Sequence, residues 1–431
     1  MAEPTFQRLP GFRDFPPEDL ARRSHIVDAW RRVSRRYGFL EYDGPPLEPL
    51  DLYVEKSGEE IVDQLYAFTD KGGREVALRP EMTPSLARIL AERSRALPKP
   101  IRWFSVPQLF RYERQQRGRL REHFQWNVDV VGEDDVAADA EVAAVAIDGL
   151  RELGLSAEDF HCRVSDRRLL RALLLDGIGV DEARLPAAFA LIDKVERMPR
   201  EVAERKLGDD VGLDGDASRR LLDLLSSPGL DAVERELGGH EAVAGALAPL
   251  KAWVGALHGL GLGDFVQVDL TIVRGLAYYT GIVFELFDRK GELRAICGGG
   301  RYDRLLERVG GESLPAVGFG MGDVVLGELL ADRGLLPEEG RSVDYFVVVV
   351  SEDLRERALG VARALRDQGR SVTYALRGQS VRKQFSQAGT EGARQVVVLG
   401  PDEVERGVAV VRDMASGDQR EVALVSFRAE P

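Results

Sequence analysis

Residues 269–303 read DLTIVRGLAYYTGIVFELFDRKGELRAICGGGRYD, and their patterning decides the fold class. Leading in, Val266, Val268, Leu270 and Ile272 alternate with Gln267, Asp269 and Thr271, the period-two pattern of a strand with one wet face. That strand is expected to deliver Arg274. Two further apolar runs, Ile282 to Phe287 and Leu293 to Cys297, flank the turn-like Asp288-Arg-Lys-Gly-Glu292, so the segment predicts an antiparallel meander. It ends in Gly298-Gly-Gly300, which brings the backbone close to whatever fills a site. Tyr302, Leu305, Leu306 and Val309 follow at helical spacing, an apolar stripe behind the glycines.

The remaining composition suits a large enzyme. With 431 residues, 44% hydrophobic and 30% charged, the chain can bury about two or three cores. No apolar run reaches membrane-spanning length, and MAEPTFQRLPGF has no signal-peptide core, which predicts a cytoplasmic protein that meets no membrane. Cys162 and Cys297 are too few for a disulfide framework, and the five histidines lack metal-ligand spacing, so no zinc site is expected. The net charge of −13 excludes a general nucleic-acid-binding surface, because a phosphate backbone is met by basic residues. Any RNA contact is local.

From the N-terminus, a turn-rich Leu9 to Pro16 precedes Glu18 to Tyr37, whose Leu20, Ile26, Val27, Trp30 and Val33 share one helical face. Gly38 stops that helix. In Leu78-Arg-Pro-Glu-Met-Thr-Pro84 a strand gives way to a helix that Thr83 is suited to cap, with Pro84 at its first position. Glu81 has no such local task; a carboxylate placed there is either solvated or aimed at a cation. Between residues 103 and 131, Gln125, Asn127 and Asp129 alternate with Phe124, Trp126, Val128 and Val130, a strand with one polar face, and Arg111 and Glu113 stand one strand period apart on the partner strand. The connecting loop carries Arg114, Arg117, Arg119 and Arg121, whose planar forks match phosphate oxygens. Helices rich in Leu, Ala, Asp and Glu fill 165–263. Pro315 to Leu330 reads as a strand entering a helix, and its Gly318, Gly320 and Gly322 lack the βαβ context of a dinucleotide loop. Gly334 to Ser342 is a linker by composition. The α/β unit after it carries equal numbers of basic and acidic residues, so it is far less acidic than the remainder.

VRGLAYYTG (273–281) and GGGRYD (298–303) together resemble the two signature motifs of the histidyl-tRNA synthetases, a family of class II aminoacyl-tRNA synthetases. The resemblance implies an α+β fold: an antiparallel class II sheet with flanking helices and a helical insertion, plus a C-terminal α/β anticodon-binding domain. Residues 1–164 would form the first part of the catalytic domain with motifs 1 and 2, 165–263 the insertion, and 264–333 the second part with the histidine motifs and motif 3. A linker at 334–343 and the anticodon-binding domain at 344–431 complete it. Phe39 to Leu50 resembles motif 1, which builds the dimer interface of the class and implies a homodimer; a helix packed on a sheet edge explains the same residues without a partner. Motif 3 departs from the usual pattern, with Val325 where most members carry an arginine over ATP. A subset that includes organelle-type enzymes resembles this chain in its GFGMGD ending (318–323), and the same subset has Ala rather than Asp at the position of Ala277 in the first histidine motif.

By the same resemblance, L-histidine is held at its ammonium by Glu81, Thr83 and Gln125, at its ring by Asp129, and between Tyr278 and Tyr279. Arg111, Glu113, Arg119 and Arg274 would bind ATP, and Arg114 and Gln116 the acceptor end of tRNA(His). The implied reaction has the histidine carboxylate attack the α-phosphorus of ATP, displacing pyrophosphate, before a ribose hydroxyl of the terminal adenosine takes the acyl group. The attacker is already an anion, so positioning and charge neutralisation suffice. Arg111 and Arg274, with Mg²⁺ bridging the phosphates, are the expected catalytic cations. The alternative is a non-catalytic histidine-binding paralogue such as the regulatory subunit of ATP phosphoribosyltransferase.

Overall fold

The computed structural model describes residues 6–57, 59–112, 118–227, 229–273, 279–337 and 342–427. It divides into two compact units, Met1–Pro337 and Glu338–Pro431. The larger unit is built on one sheet whose strands run in the order Leu40–Glu41, Ile101–Ser105, Glu122–Val131, Ala316–Gly322, Cys297–Arg301, Ile282–Asp288, Phe160–Asp166 and Val266–Val268. The outermost pair at each edge is parallel, and every pairing between them is antiparallel. A short strand, Gln108–Phe110, pairs with the start of Glu122–Val131.

Paired residues project to the same side of a sheet, so the register separates two faces. Trp126, Val128, Phe319, Met321, Phe284, Leu286, Cys162 and Val164 share the first face, and all are buried. Two helices cover it, Pro17–Arg36 and Val136–Arg151. Trp30 stacks on Trp126 at 5.8 Å between ring centroids, and Phe319 meets the same indole edge-on at 4.9 Å. The indole N–H donates to Ser34 Oγ at 2.9 Å. Gly149 is required opposite this ring, since a Cβ there would lie 2.3 Å from it. Between Phe160–Asp166 and Val266–Val268 the described chain is helical or turning, ending in the long helix Glu241–Gly259. Its Leu250, Trp253 and Leu257 join the same apolar core as the sheet.

Three local expectations are corrected. The strand expected to run to Arg274 stops at Val268 and lies parallel to Phe160–Asp166 rather than beside Ile282–Asp288. Asp269 ends it: its carboxylate accepts from the Thr271 N–H at 2.9 Å and the Thr271 hydroxyl at 2.6 Å, a side-chain turn that competes with the ladder. The final strand of the meander begins at Cys297 instead of ending there, and the glycine triplet lies within it. Gly299 fits because a Cβ would meet Gly318 O at 2.5 Å and Phe319 Cβ at 2.6 Å. Thr83 is not the helix cap; the helix Thr83–Arg93 has Met82 at its N-cap and no side-chain cap hydrogen bond.

The smaller unit has its own five-stranded sheet, ordered Val372–Tyr374, Val343–Val349, Ala393–Leu399, Val408–Asp413 and Gln419–Ala423. Its first three strands are parallel and its last two antiparallel additions. Apolar side chains alternate to both sides: Val347 and Val349 pack with Val361 and Leu365 of the helix Arg355–Asp367, whereas Phe346 and Val348 pack with Ala388 of the helix Val381–Thr390. No described helix is long and apolar enough to cross a membrane.

Candidate active site

The second face of the large sheet is the opposite of the first. Gln125, Asn127 and Asp129 of the Glu122–Val131 strand pair with Gly322, Gly320 and Gly318; Gly320 and Gly318 pair in turn with Gly298 and Gly300, and Glu285 and Arg163 continue the row. Polar side chains thus lie over a floor of bare backbone. A Cβ at Gly318 would sit 2.1 Å from Asp129 Oδ1, one at Gly320 would sit 2.9 Å from Gln125 Cδ, and one at Gly300 would sit 3.0 Å from Tyr279 Cδ1. The floor is closed beyond Asp129 by Ile101, Val131, Ala316, Tyr302 and Leu305 packed against Leu86 and Leu90 of the helix Thr83–Arg93. Within that closure the Tyr302 hydroxyl donates to the buried Asp129 carboxylate. Burial and the nearby Asp129 charge together push the Tyr42 phenol well above its ordinary range.

In the other direction the floor opens into a cavity of about 970 Å³. Of the expected site residues, Arg111, Arg119 and Gln125 line it. Arg111 follows the strand Gln108–Phe110, and its Nε donates to Pro80 O at 3.0 Å, tying it to the stretch that carries Glu81. Glu81 and Thr83 are half-buried, Thr83 as the first residue of the helix Thr83–Arg93 and Glu81 two residues before it. Asp129 and Tyr279 belong to the closed end, Tyr279 packing on the apolar cluster there. Glu113, Arg114, Gln116, Arg274 and Tyr278 lie outside the described residues.

Two neighbours of the site escape a reading of the sequence. His123 stands one strand period before Gln125 and lines the cavity. Burial, with the charges of Arg111 and Arg13, lowers its imidazole to about 3, so it faces the cavity as a neutral ring. The alternation that exposed Gln125 would have reached His123 had it been extended one step. Arg13 has no such signal. Its Nε donates to Glu122 Oε1 at 2.6 Å and its Nη1 to Asp323 Oδ2 at 2.9 Å, binding the start of the Glu122–Val131 strand to the first residue of the helix Asp323–Asp332. Gln108 adds a hydrogen bond to Glu122 at 3.0 Å, and Asp323 accepts from the Phe124 N–H at 2.9 Å. Burial raises the Asp323 carboxyl despite its pairing with Arg13. At the far side of the cavity, Arg163 pairs with both Asp269 and Glu196. Burial works against its charge, but these carboxylates raise its basicity overall.

An antiparallel sheet with one face closed under helices and the other given to a glycine-floored cavity, joined to a separate α/β unit, is the architecture of a class II aminoacyl-tRNA synthetase. A family profile described as "Histidyl-tRNA synthetase" matches residues 11–322, and one described as "Anticodon binding domain" matches 344–430. The chain belongs to the histidyl-tRNA synthetase family. It is 45% identical over 421 residues to the histidine--tRNA ligase of Opitutus terrae, covering 97% of this chain and 96% of that one. It is 45% identical over 414 residues to the chloroplastic/mitochondrial histidine--tRNA ligase of Arabidopsis thaliana, covering 96% of this chain and 84% of that one. Among solved structures, histidyl-tRNA synthetase from Nostoc sp. PCC 7120 matches with a TM-score of 0.85 at 26% identity over 99% of this chain and 98% of that one. A Bacillus halodurans structure described as an ATP phosphoribosyltransferase regulatory subunit/histidyl-tRNA synthetase matches with a TM-score of 0.76 at 27% identity, covering 92% of this chain and 99% of that one.

Proposed function

We propose that the chain is a histidine--tRNA ligase that activates histidine with ATP to histidyl-adenylate and transfers it to the 3′ end of tRNA(His). The observation that carries this reading is the glycine floor beneath Gln125, Asn127 and Asp129: it leaves a flat, polar bed that ends in a buried carboxylate and opens at Arg111 and Arg119. An imidazole N–H at the closed end would donate to Asp129, already held by Tyr302. An apolar analogue forgoes that hydrogen bond to a buried charged acceptor, which gives selection against such analogues. Glu81, Thr83 and Gln125 are proposed for the ammonium, and Tyr278 and Tyr279 for the walls.

ATP would lie toward the cavity, with Arg111, Glu113, Arg119 and Arg274 proposed to bind it, the three arginines on its phosphates. Arg111 and Arg274 would neutralise the charge that builds as the histidine carboxylate reaches the α-phosphorus, so no general base is needed. Among the described residues no cluster of three or more His, Cys, Asp or Glu could cage a metal ion. Glu285 on the cavity floor is the carboxylate proposed to meet a Mg²⁺ carried on the triphosphate, since such an ion keeps most of its waters and needs only one or two carboxylates. When bound, Mg²⁺ supplies charge neutralisation to the phosphates.

Arg114 and Gln116 are proposed for the acceptor end of the tRNA, and the Glu338–Pro431 unit for its anticodon. A homodimer in the cytoplasm is proposed as well. The exposed Leu40 on the edge strand Leu40–Glu41 supports a partner there, and the two buried cysteines, held as thiols rather than as a disulfide, suit a reducing compartment. Pyrophosphate exchange with Mg²⁺ and ATP tests the reaction: it should require histidine. Histidine binding without exchange would make the chain a regulatory paralogue instead. Removing everything after Pro337 should leave histidine activation within about twofold while tRNA charging falls at least about tenfold, since each unit has a core of its own.

A further inference from the structure

The cavity's walls are unevenly charged. Arg111 and Arg119 reach it from the side of the Glu122–Val131 strand, whereas the helix Asp323–Asp332 presents Val324 and Val325. Val325 is buried, and only apolar methyls face the cavity at this point. Among the described residues, the helix itself offers a triphosphate held against that wall no cation at this point. Another element approaches the same spot. A Cβ on Gly118 would lie 3.2 Å from Val325 Cγ2 and 3.9 Å from Arg294 Cδ, so the Arg294 stem and the Val325 methyl abut one point beside the arginine-bearing loop. Arg294 itself lines the cavity.

The backbone on both sides of Arg294 is pinned. The buried Asp288 carboxylate accepts from the Leu293 N–H at 3.0 Å and the Glu292 N–H at 3.3 Å, and its carbonyl accepts from the Gly291 N–H at 3.2 Å. Two residues beyond Arg294, the Ile296 N–H donates to Leu286 O at 2.8 Å. The connection after Ile282–Asp288 is therefore a fixed platform whose apolar Leu293 packs on the core and whose Arg294 projects at the cavity. A planar guanidinium on such a base loses little freedom when it grips a phosphate.

We propose that Arg294 binds the phosphates of ATP, so that the connection between the Ile282–Asp288 and Cys297–Arg301 strands supplies the cation that the helix lacks at Val325. The proposal rests on the ligase reading for its substrate, and its test separates the two. In the full-length protein, Arg294→Ala should raise the KM for ATP in histidine-dependent pyrophosphate exchange by about tenfold to a hundredfold, the usual loss for one charge-assisted bidentate contact. The KM for histidine should stay within about twofold and the melting temperature should hold. Arg294→Lys should recover only part of the loss. Adding Val325→Arg to Arg294→Ala should restore ATP use, because the new side chain starts from the same point of the wall. An Arg294→Ala enzyme with unchanged KM for ATP and unchanged kcat overturns the proposal. So does an ATP defect accompanied by an equal fall in melting temperature that Val325→Arg does not relieve. If the unmodified protein shows no histidine-dependent exchange, the ligase reading fails; ATP affinity measured directly by calorimetry on the same variants then decides Arg294, equal Kd values overturning its role.

Discussion

The two faces of the large sheet are made by alternate residues of the same strands, yet they obey opposite rules. On the closed face Trp126, Phe319 and Phe284 fill space, Trp126 against Trp30 and Gly149, and leave no room even for a methyl at Gly299. On the open face Gly318, Gly320, Gly298 and Gly300 empty the space so that Gln125 and Asp129 can lie across it. The first arrangement stabilises the fold by burial and dispersion. The second forgoes that burial and keeps polar groups aimed at a ligand. A substitution should therefore change stability or catalysis according to which face it touches.

Trp126→Ala on the closed face gives the largest expected effect. It removes an indole that is fully buried, stacked and hydrogen-bonded, and should cost about 3–5 kcal/mol in chemical denaturation. A cost under about 1 kcal/mol would mean that the two helices do not depend on this face. A matched pair of glycines sharpens the contrast. Gly299→Ala drives a methyl into Gly318 O and Phe319 Cβ and should destabilise by about 1–3 kcal/mol while the folded fraction keeps its specific activity. Gly320→Ala meets only the end of the Gln125 side chain, which can swing away. It should leave the melting temperature nearly unchanged and impair histidine activation, measured as kcat/KM in pyrophosphate exchange. If both variants behave alike, the division by face is wrong.

Asp129→Asn keeps the shape of the open face and removes its buried anion. Histidine kcat/KM should fall by roughly tenfold to a hundredfold, as for a lost charged hydrogen-bond acceptor, with ATP affinity little altered. An unchanged histidine KM would remove Asp129 from the pocket. The smallest expected effect comes from His123, whose folded imidazole is lowered to about 3. A group depressed in the fold contributes fully above its unfolded value of about 6.5, and that contribution is lost as pH falls because the unfolded chain takes up the proton first. Between pH 7 and pH 5 the loss should be at most about 2 kcal/mol, the full linkage for a folded value near 3. In His123→Phe the same pH interval should cost correspondingly less, and an identical slope in both proteins would refute the assignment.

Residues whose meaning is set by their nearest neighbours were legible in the chain itself. The alternation from Phe124 to Val130 gave the polar face of a strand, and the helices Pro17–Arg36 and Glu241–Gly259 follow from their apolar spacing. The joined motifs VRGLAYYTG and GGGRYD identified the family, because a site that must admit backbone to a ligand constrains residue type at fixed spacing. The helix Val381–Thr390 is not legible in its sequence, VRKQFSQAGT, which is mostly polar; it gains its place by packing Ala388 and Phe385 beneath the smaller sheet. The strand past Val268 was overextended because the Asp269 side chain competes with the ladder, which alternation does not register.

What only the tertiary structure decided are the meetings of residues remote in sequence. Arg13 reaches Asp323 across 310 positions, the Val266–Val268 strand joins the far edge of the sheet, and Arg294 arrives beside Val325 through a point on Gly118. Side-chain periodicity states which way a residue faces. It does not state which strand will lie next to it, since pairing is chosen by the summed burial of the whole sheet, and a cation needed at one wall of a cavity can come from any element that the pairing brings there.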